Sequence, residues 1–141
     1  MSKELVIEAA VDNLPQVLAY VDSHLEEVGC SPADQIKIDL AVEEIFVNIA
    51  NYAYYPEKGN ASIQVKVIGD PMTVVIIFMD NGIPYDPLQN TDPDVSLPAG
   101  ERKIGGLGIF LTKKTMDDVI YEYRDGRNIL QLWKKVKTMM P

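Results

Sequence analysis

Residues 73–79 read Thr-Val-Val-Ile-Ile-Phe-Met, and residues 74–79 form the longest unbroken apolar run in a chain of 141 residues. That run has strand length and falls far short of the roughly 20 apolar residues that a membrane helix needs. It reads as a buried strand, and a buried strand requires paired neighbours. Residues 63–68 alternate apolar and polar side chains and reach it through the turn Gly69-Asp70-Pro71. Residues 119–124 and 128–136 flank Asp125-Gly126, a hairpin signal, and residues 5–11 make a further short strand closed by Asp12-Asn13.

Helical signals fill the gaps. Asn13-Leu14-Pro15-Gln16 offers a capping residue, an early proline and Gln three positions on, which predicts a helix to about residue 28 with Gly29 as its C-terminal cap. Ser31-Pro32-Ala33-Asp34 opens a second and longer helix. Ile36, Leu40, Phe46 and Ile49 mark its apolar periodicity, which persists to about residue 54 before Pro56 and Gly59 stop it. A third helix over 107–116 follows Gly105-Gly106. Residues 81–105 carry Pro84, Pro87, Pro93 and Pro98 and read as an irregular loop of the length that lids and binding loops have. The order β-α-α-β-β-lid-α-β-β predicts an α+β fold. It is a two-layer α/β sandwich in one domain, 1–141, with three helices on one face of a mainly antiparallel mixed sheet.

Composition removes several classes. With 47% hydrophobic and 24% charged residues, the chain can bury a core without disulfides or metals. Cys30 is the only cysteine, so a Cys-based metal cluster or intramolecular disulfide is excluded and a reducing cytoplasm fits. Met1-Ser2-Lys3-Glu4 lacks the basic and apolar regions of a signal peptide, and no membrane association is expected. Thirteen Lys+Arg against 21 Asp+Glu give 13 − 21 = −8. With no basic cluster longer than two residues, direct nucleic-acid binding is excluded, and any anionic ligand must be held by local N–H groups, a metal ion or a few placed cations.

Three constellations carry chemistry. Glu44 and Asn48 lie one turn apart on the long helix, and Asn51 and Tyr52 extend their stripe. This is either a solvated face or a base beside a Mg²⁺-binding amide oxygen. Asp80-Asn81-Gly82-Ile83-Pro84 is either a hairpin turn or a carboxylate placed to accept from an exocyclic amine, with Gly82 admitting a flat ring; the prolines at 84 and 87 weigh against a returning strand. Gly105-Gly106-Leu107-Gly108 before a helix is either a plain turn or an N–H cradle for phosphate. It is not a Walker A loop, because Gly106 stands where the Lys belongs. It is not a Rossmann fingerprint either, because Leu111 occupies the third glycine position.

Taken in order, Glu44-x-x-x-Asn48, Asp80-x-Gly82 and Gly106-x-Gly108 resemble the N, G1 and G2 boxes of the GHKL (Bergerat-fold) ATPase superfamily. Residues 41–48 (AVEEIFVN), 80–87 (DNGIPYDP) and 105–109 (GGLGI) resemble most closely the bacterial anti-sigma-factor serine kinases, over nearly the whole chain. The resemblance implies an ATP-dependent protein serine/threonine kinase that acts as an anti-sigma factor in transcription regulation. Such a protein sequesters a sigma factor and phosphorylates an anti-anti-sigma protein on serine. It implies Glu44 as the catalytic base, Asn48 as the Mg²⁺ ligand bridging the phosphates with Asn51 beside it, and Asp80 and Gly82 at the adenine. Gly105, Gly106, Leu107, Gly108 and Ile109 would close the lid, with Arg102 or Lys103 at the γ-phosphate, and the chain would form a homodimer. A non-catalytic ATP-binding regulatory module is the alternative. Thr112 departs from the aliphatic residue usual in the family, His24 reads as a surface histidine, and Trp133 as core or edge packing.

Overall fold

The computed structural model describes residues 4–89 and 107–139. Five strands, β1 (Glu4–Glu8), β2 (Asn60–Ile68), β3 (Thr73–Asp80), β4 (Asp118–Arg124) and β5 (Arg127–Lys135), make one sheet in the order β1-β2-β3-β5-β4. Every neighbouring pair is antiparallel, so the mixed character expected of the sheet reduces to antiparallel throughout. The apolar run at 74–79 is the central strand. Helices α1 (Leu14–Glu27), α2 (Pro32–Tyr52) and α3 (Leu107–Thr115) supply the second layer.

Strand periodicity decides which face the helices cover. Val74, Ile76 and Phe78 point inward, and register sets Phe78 between Ile63 and Leu130, and Ile76 beside Leu132. Against this row pack Val17, Val21 and Leu25 of α1 with Ile38, Val42, Ile45 and Phe46 of α2, all nearly inaccessible. Each such side chain contributes about 1.5–3 kcal/mol of burial. The inward row of β3 ends on Asp80, opposite Ala61 and Asn128, so the central strand carries its one acid to the edge of the core.

Local signals place the helix ends well. Ser31 Oγ accepts from the Asp34 N–H at 3.3 Å, and Gly29 closes α1 in the left-handed region at φ 73°. Asp125 and Gly126 turn the β4–β5 hairpin with φ 55° and 78°. Two expectations are corrected, and the face of α2 is settled. The first strand stops at Glu8, because Ala9 instead donates to the Gly59 carbonyl and Val11–Asn13 coil into a 3₁₀ turn. Asn13 precedes α1, but its amide donates back to the Glu8 carbonyl at 3.0 Å and makes no side-chain cap. Ile36 and Leu40 are 61% and 63% exposed, because the face of α2 against the sheet is set by Ile38, Ala41, Val42, Ile45 and Phe46. Periodicity gave the helix, but it did not give the stripe's direction.

Between α1 and α2 the carboxyl of Asp39 hydrogen-bonds that of Asp22. Burial first, then that bond, then the charges of Asp22 and Glu26 push Asp39 up to about 8. A carboxyl that holds its proton more tightly in the fold than in the unfolded chain stabilises the fold at low pH. That contribution is lost progressively as pH rises from the ordinary carboxyl range near ~4 through about 8. The melting temperature is therefore expected to fall between pH 5 and pH 8.5. Asp39→Asn should flatten that slope and raise the midpoint at pH 8.5 by about 4 °C, solvent screening holding the effect to that order. Differential scanning calorimetry across the range checks it, and an unchanged slope in the variant would count against the shared proton.

Candidate functional site

Where α2 runs past the end of β3, a narrow open-mouthed cleft has a volume of about 40 Å³. Its walls are the core continued outward: Ile45, Ile49, Phe78 and Leu130 give it an apolar interior, and Tyr52 and Tyr85 stand with ring centroids 6.3 Å apart, tilted at 42°. Two polar side chains anticipated from the sequence, Asp80 and Asn48, open into it. An apolar slot with a few placed polar groups is what a flat heteroaromatic ligand requires.

Asp80 is 6% exposed. Its Oδ1 accepts from the Gly82 N–H and from Asn128 Nδ2, each at 2.9 Å, and Oδ2 has no protein partner among the described residues. Burial pushes the carboxyl above its usual range while the two donors pull it back. Asn128 went unnoticed in the sequence. Its amide uses every position it has: Nδ2 donates to Asp80 Oδ1 and to the Ile83 carbonyl at 2.8 Å, and Oδ1 accepts from the Tyr85 N–H at 3.1 Å and from the Tyr121 hydroxyl. Only the cross-strand register, Asp80 opposite Asn128, could have marked it.

A second unforeseen residue holds the same loop from the other side. The Tyr54 hydroxyl accepts from the Asn81 N–H at 2.8 Å and donates to the Asn60 carbonyl at 2.6 Å. The Ile83 N–H reaches the Ala53 carbonyl at 2.9 Å, and a Cβ on Gly82 would lie 2.2 Å from that same oxygen. Gly82 is thus needed for its approach to the end of α2, a reason separate from the flat ring that its place in the sequence suggested.

Asn48 is half-buried, and its Nδ2 donates to the Glu44 carbonyl at 3.1 Å, which leaves Oδ1 as the amide's ligating atom. Asn51 is exposed and does not line the cleft, while Tyr52 does. Glu44 lies against α3: a Cβ on Gly108 would come within 1.6 Å of its Oε1, so glycine is the residue that lets helix and carboxylate meet. Burial, with the charge of Glu43 second, pushes the Glu44 carboxyl up, as suits a proton acceptor. Ile109 and Thr112 are buried on α3, and the Thr112 hydroxyl donates to the Gly108 carbonyl at 2.9 Å, which explains why a hydroxyl is tolerated at an apolar position. Arg102, Lys103, Gly105 and Gly106 lie outside the described residues, as does the side chain of Leu107. His24 is half-buried, with Nδ1 2.9 Å from the Tyr20 carbonyl, and Trp133 is half-buried in β5.

No group of three or more His, Cys, Asp or Glu side chains is gathered to hold a metal among the described residues. A Mg²⁺ ion that keeps waters and phosphate oxygens needs only one or two protein ligands, and the single amide oxygen of Asn48 fits that role.

Residues 7–134 match the model of the histidine kinase-like ATPase domain family. The serine/threonine-protein kinase BtrW of Bordetella bronchiseptica is 30% identical over 95 residues, 67% of this chain and 66% of that protein. The serine-protein kinase RsbW of Listeria monocytogenes is 32% identical over 98 residues, 66% of this chain and 61% of that protein. The chain thus spans under two thirds of the length of these relatives. The RsbU and RsbW domains of Rv1364c from Mycobacterium tuberculosis superpose with a TM-score of 0.66 at 17% identity, covering 96% of this chain and 33% of that one, and share its fold.

Truncating the amide that binds both the acid and the loop should be costly. Asn128→Ala strips partners from the Ile83 carbonyl and the Tyr85 N–H and leaves Asp80 with one donor. A loss of about 2–3 kcal/mol in urea unfolding is expected, and a loss below about 0.5 kcal/mol would show the network to be dispensable.

Proposed function

The chain belongs to the histidine kinase-like ATPase domain family, and from that we propose that it is an ATP- and Mg²⁺-dependent protein serine kinase acting as an anti-sigma factor. The relatives named serine-protein kinases support the reading. The observation that carries it is the Asp80 carboxylate, buried at the end of the apolar cleft with Oδ1 committed to the protein and Oδ2 left for a donor. Oδ2 takes the exocyclic amine of adenine, and Ile45, Ile49, Phe78 and Leu130 enclose the ring. Tyr54 and Asn128 hold the Asp80-Asn81-Gly82 loop so that the carboxylate is oriented before the nucleotide arrives.

Asn48 Oδ1 is the protein ligand for Mg²⁺, which when bound neutralises charge on the phosphates. Glu44 accepts the proton of the acceptor serine as its Oγ bonds to the γ-phosphorus and the bond from that phosphorus to the ADP oxygen breaks. The N–H groups of Gly105, Gly106, Leu107, Gly108 and Ile109 donate to phosphate oxygens, and Arg102 or Lys103 meets the γ-phosphate.

The proposed partners are a sigma factor and an anti-anti-sigma protein that carries the serine, both met in the cytoplasm. A chain of net charge −8 suits a basic, DNA-binding partner. A homodimer is proposed as well; the outward row of the sheet, Val75, Ile77 and Met79 beside Ile129, Gln131 and Trp133, is largely apolar, with Val75 and Ile129 already buried within the chain.

Two substitutions separate the roles. Asp80→Asn exchanges a charge-assisted acceptor for an amide and should weaken Mg-ATP binding about 10- to 100-fold in titration calorimetry. Glu44→Gln should leave that affinity within about threefold while phosphotransfer falls about 10²- to 10⁴-fold. Labelled ATP with a lysate depleted of nucleotide, followed by phosphosite mapping, gives the readout. Absence of phosphoserine with wild type, or undiminished transfer by the Glu44 variant, would sink the catalytic role and leave a non-catalytic nucleotide-binding module.

A further inference from the structure

Glu44 does not line the cleft that holds Asp80; it lines a second one. That groove, of about 320 Å³, runs between α2 and α3. Its sides are Leu40, 63% exposed, and Leu111, 50% exposed, and Lys37 stands at the end of its α2 wall farthest along the helix from Glu44. Single exposed leucines are ordinary on a protein surface, but two that face one groove leading to the base are not scattered. In α2 the positions 37, 40 and 44 recur at helical spacing and share one stripe, apart from the face that Ile38, Val42, Ile45 and Phe46 turn to the core.

We propose that the α2–α3 groove selects the acceptor segment of the protein substrate, an extended stretch with a serine, an aliphatic residue two positions from it and an acidic residue about three positions from the serine. The proposal rests on the kinase reading, since it deepens the role of Glu44. Lys37 and Glu44 are seven residues apart, about 10 Å along a helix, and an extended chain covers that distance in three residues. With the serine hydroxyl at Glu44, the aliphatic side chain falls between Leu40 and Leu111, and the acid reaches Lys37. The charge pattern fixes the polarity of the match. Glu43 and Glu44 occupy one end of the wall and Lys37 the other, so an acid beside the serine is repelled while an acid three residues away is attracted.

A positional-scanning library of serine peptides, offered to the full chain with Mg²⁺ and labelled ATP, tests the pattern. Leu, Ile or Met is expected over Asp by at least tenfold at a position two residues from the serine, and Asp or Glu over Lys about three residues away. Lys37→Glu should reverse the charge preference. The pair Leu40→Asp with Leu111→Asp should lower kcat/KM at least tenfold while Mg-ATP affinity stays unchanged. Transfer that is indifferent to both positions, or a charge preference that survives Lys37→Glu, overturns the groove and leaves the kinase reading standing. Mg-ATP binding without transfer to any peptide overturns both. In the free chain Leu40→Cys should react rapidly with a maleimide, buried Cys30 remaining slow; protection of Cys at 40 would show that the chain itself or a second copy fills the groove.

Discussion

The architecture turns on one carboxylate kept at the end of the most apolar strand in the molecule. An isolated buried acid is expensive to desolvate, and Asp80 persists because the Gly82 N–H and the Asn128 amide both donate to one of its oxygens. The second oxygen keeps its hydrogen-bonding capacity for whatever enters the cleft. The same two donors fix the surroundings. Gly82 must sit tightly on the end of α2, and Asn128 must reach the backbone at Ile83 and Tyr85, so loop, helix and strand are placed relative to the acid by the bonds that make its burial tolerable.

Helix α2 is the spine that links this acid to the rest. Its innermost face, from Ile38 through Phe46, fills the core; the side with Ile45, Asn48, Ile49 and Tyr52 forms one wall of the cleft; the side with Lys37, Leu40 and Glu44 forms one wall of the groove. One helix of 21 residues therefore serves the core and the cleft from nearly one face, at successive heights, and the groove from another, and the last two need a neighbour to become a site. For the groove that neighbour is α3, where a side chain at Gly108 would displace the carboxylate of Glu44 from its present place. The glycine thus leaves room for that carboxylate beside the start of a helix.

Legibility in the sequence followed the range of the interaction. Caps and turns were readable, because Ser31 with Asp34, Gly29, and Asp125-Gly126 act within four residues. The central strand was readable from composition alone. Asp80, Gly82, Glu44 and Asn48 were readable because each sits in a short motif. Asn128 and Tyr54 were not: their partners lie 48 and 27 residues away, and no local pattern distinguishes them from a strand asparagine or a helix-end tyrosine. The direction of the α2 stripe was not legible for a related reason. Ile36 and Leu40 have helical spacing, but apolar residues on more than one side of a helix do not say which side meets the sheet.

Net charge sharpens what the site must do. A chain at −8 repels an anionic ligand, and Asp80, Glu43 and Glu44 add negative charge at the two clefts. Desolvation pushes Asp80 and Glu44 up, so each resists carrying that charge when no ligand is present. A ligand that brings an amine donor to Asp80 makes the ionised form of that acid more favourable. On the proposed reading, a cation held at Asn48, one turn away, would do the same for Glu44. On the proposed reading, binding and ionisation are coupled in sign: a species that supplied a donor and a cation together would favour the ionised form of both acids.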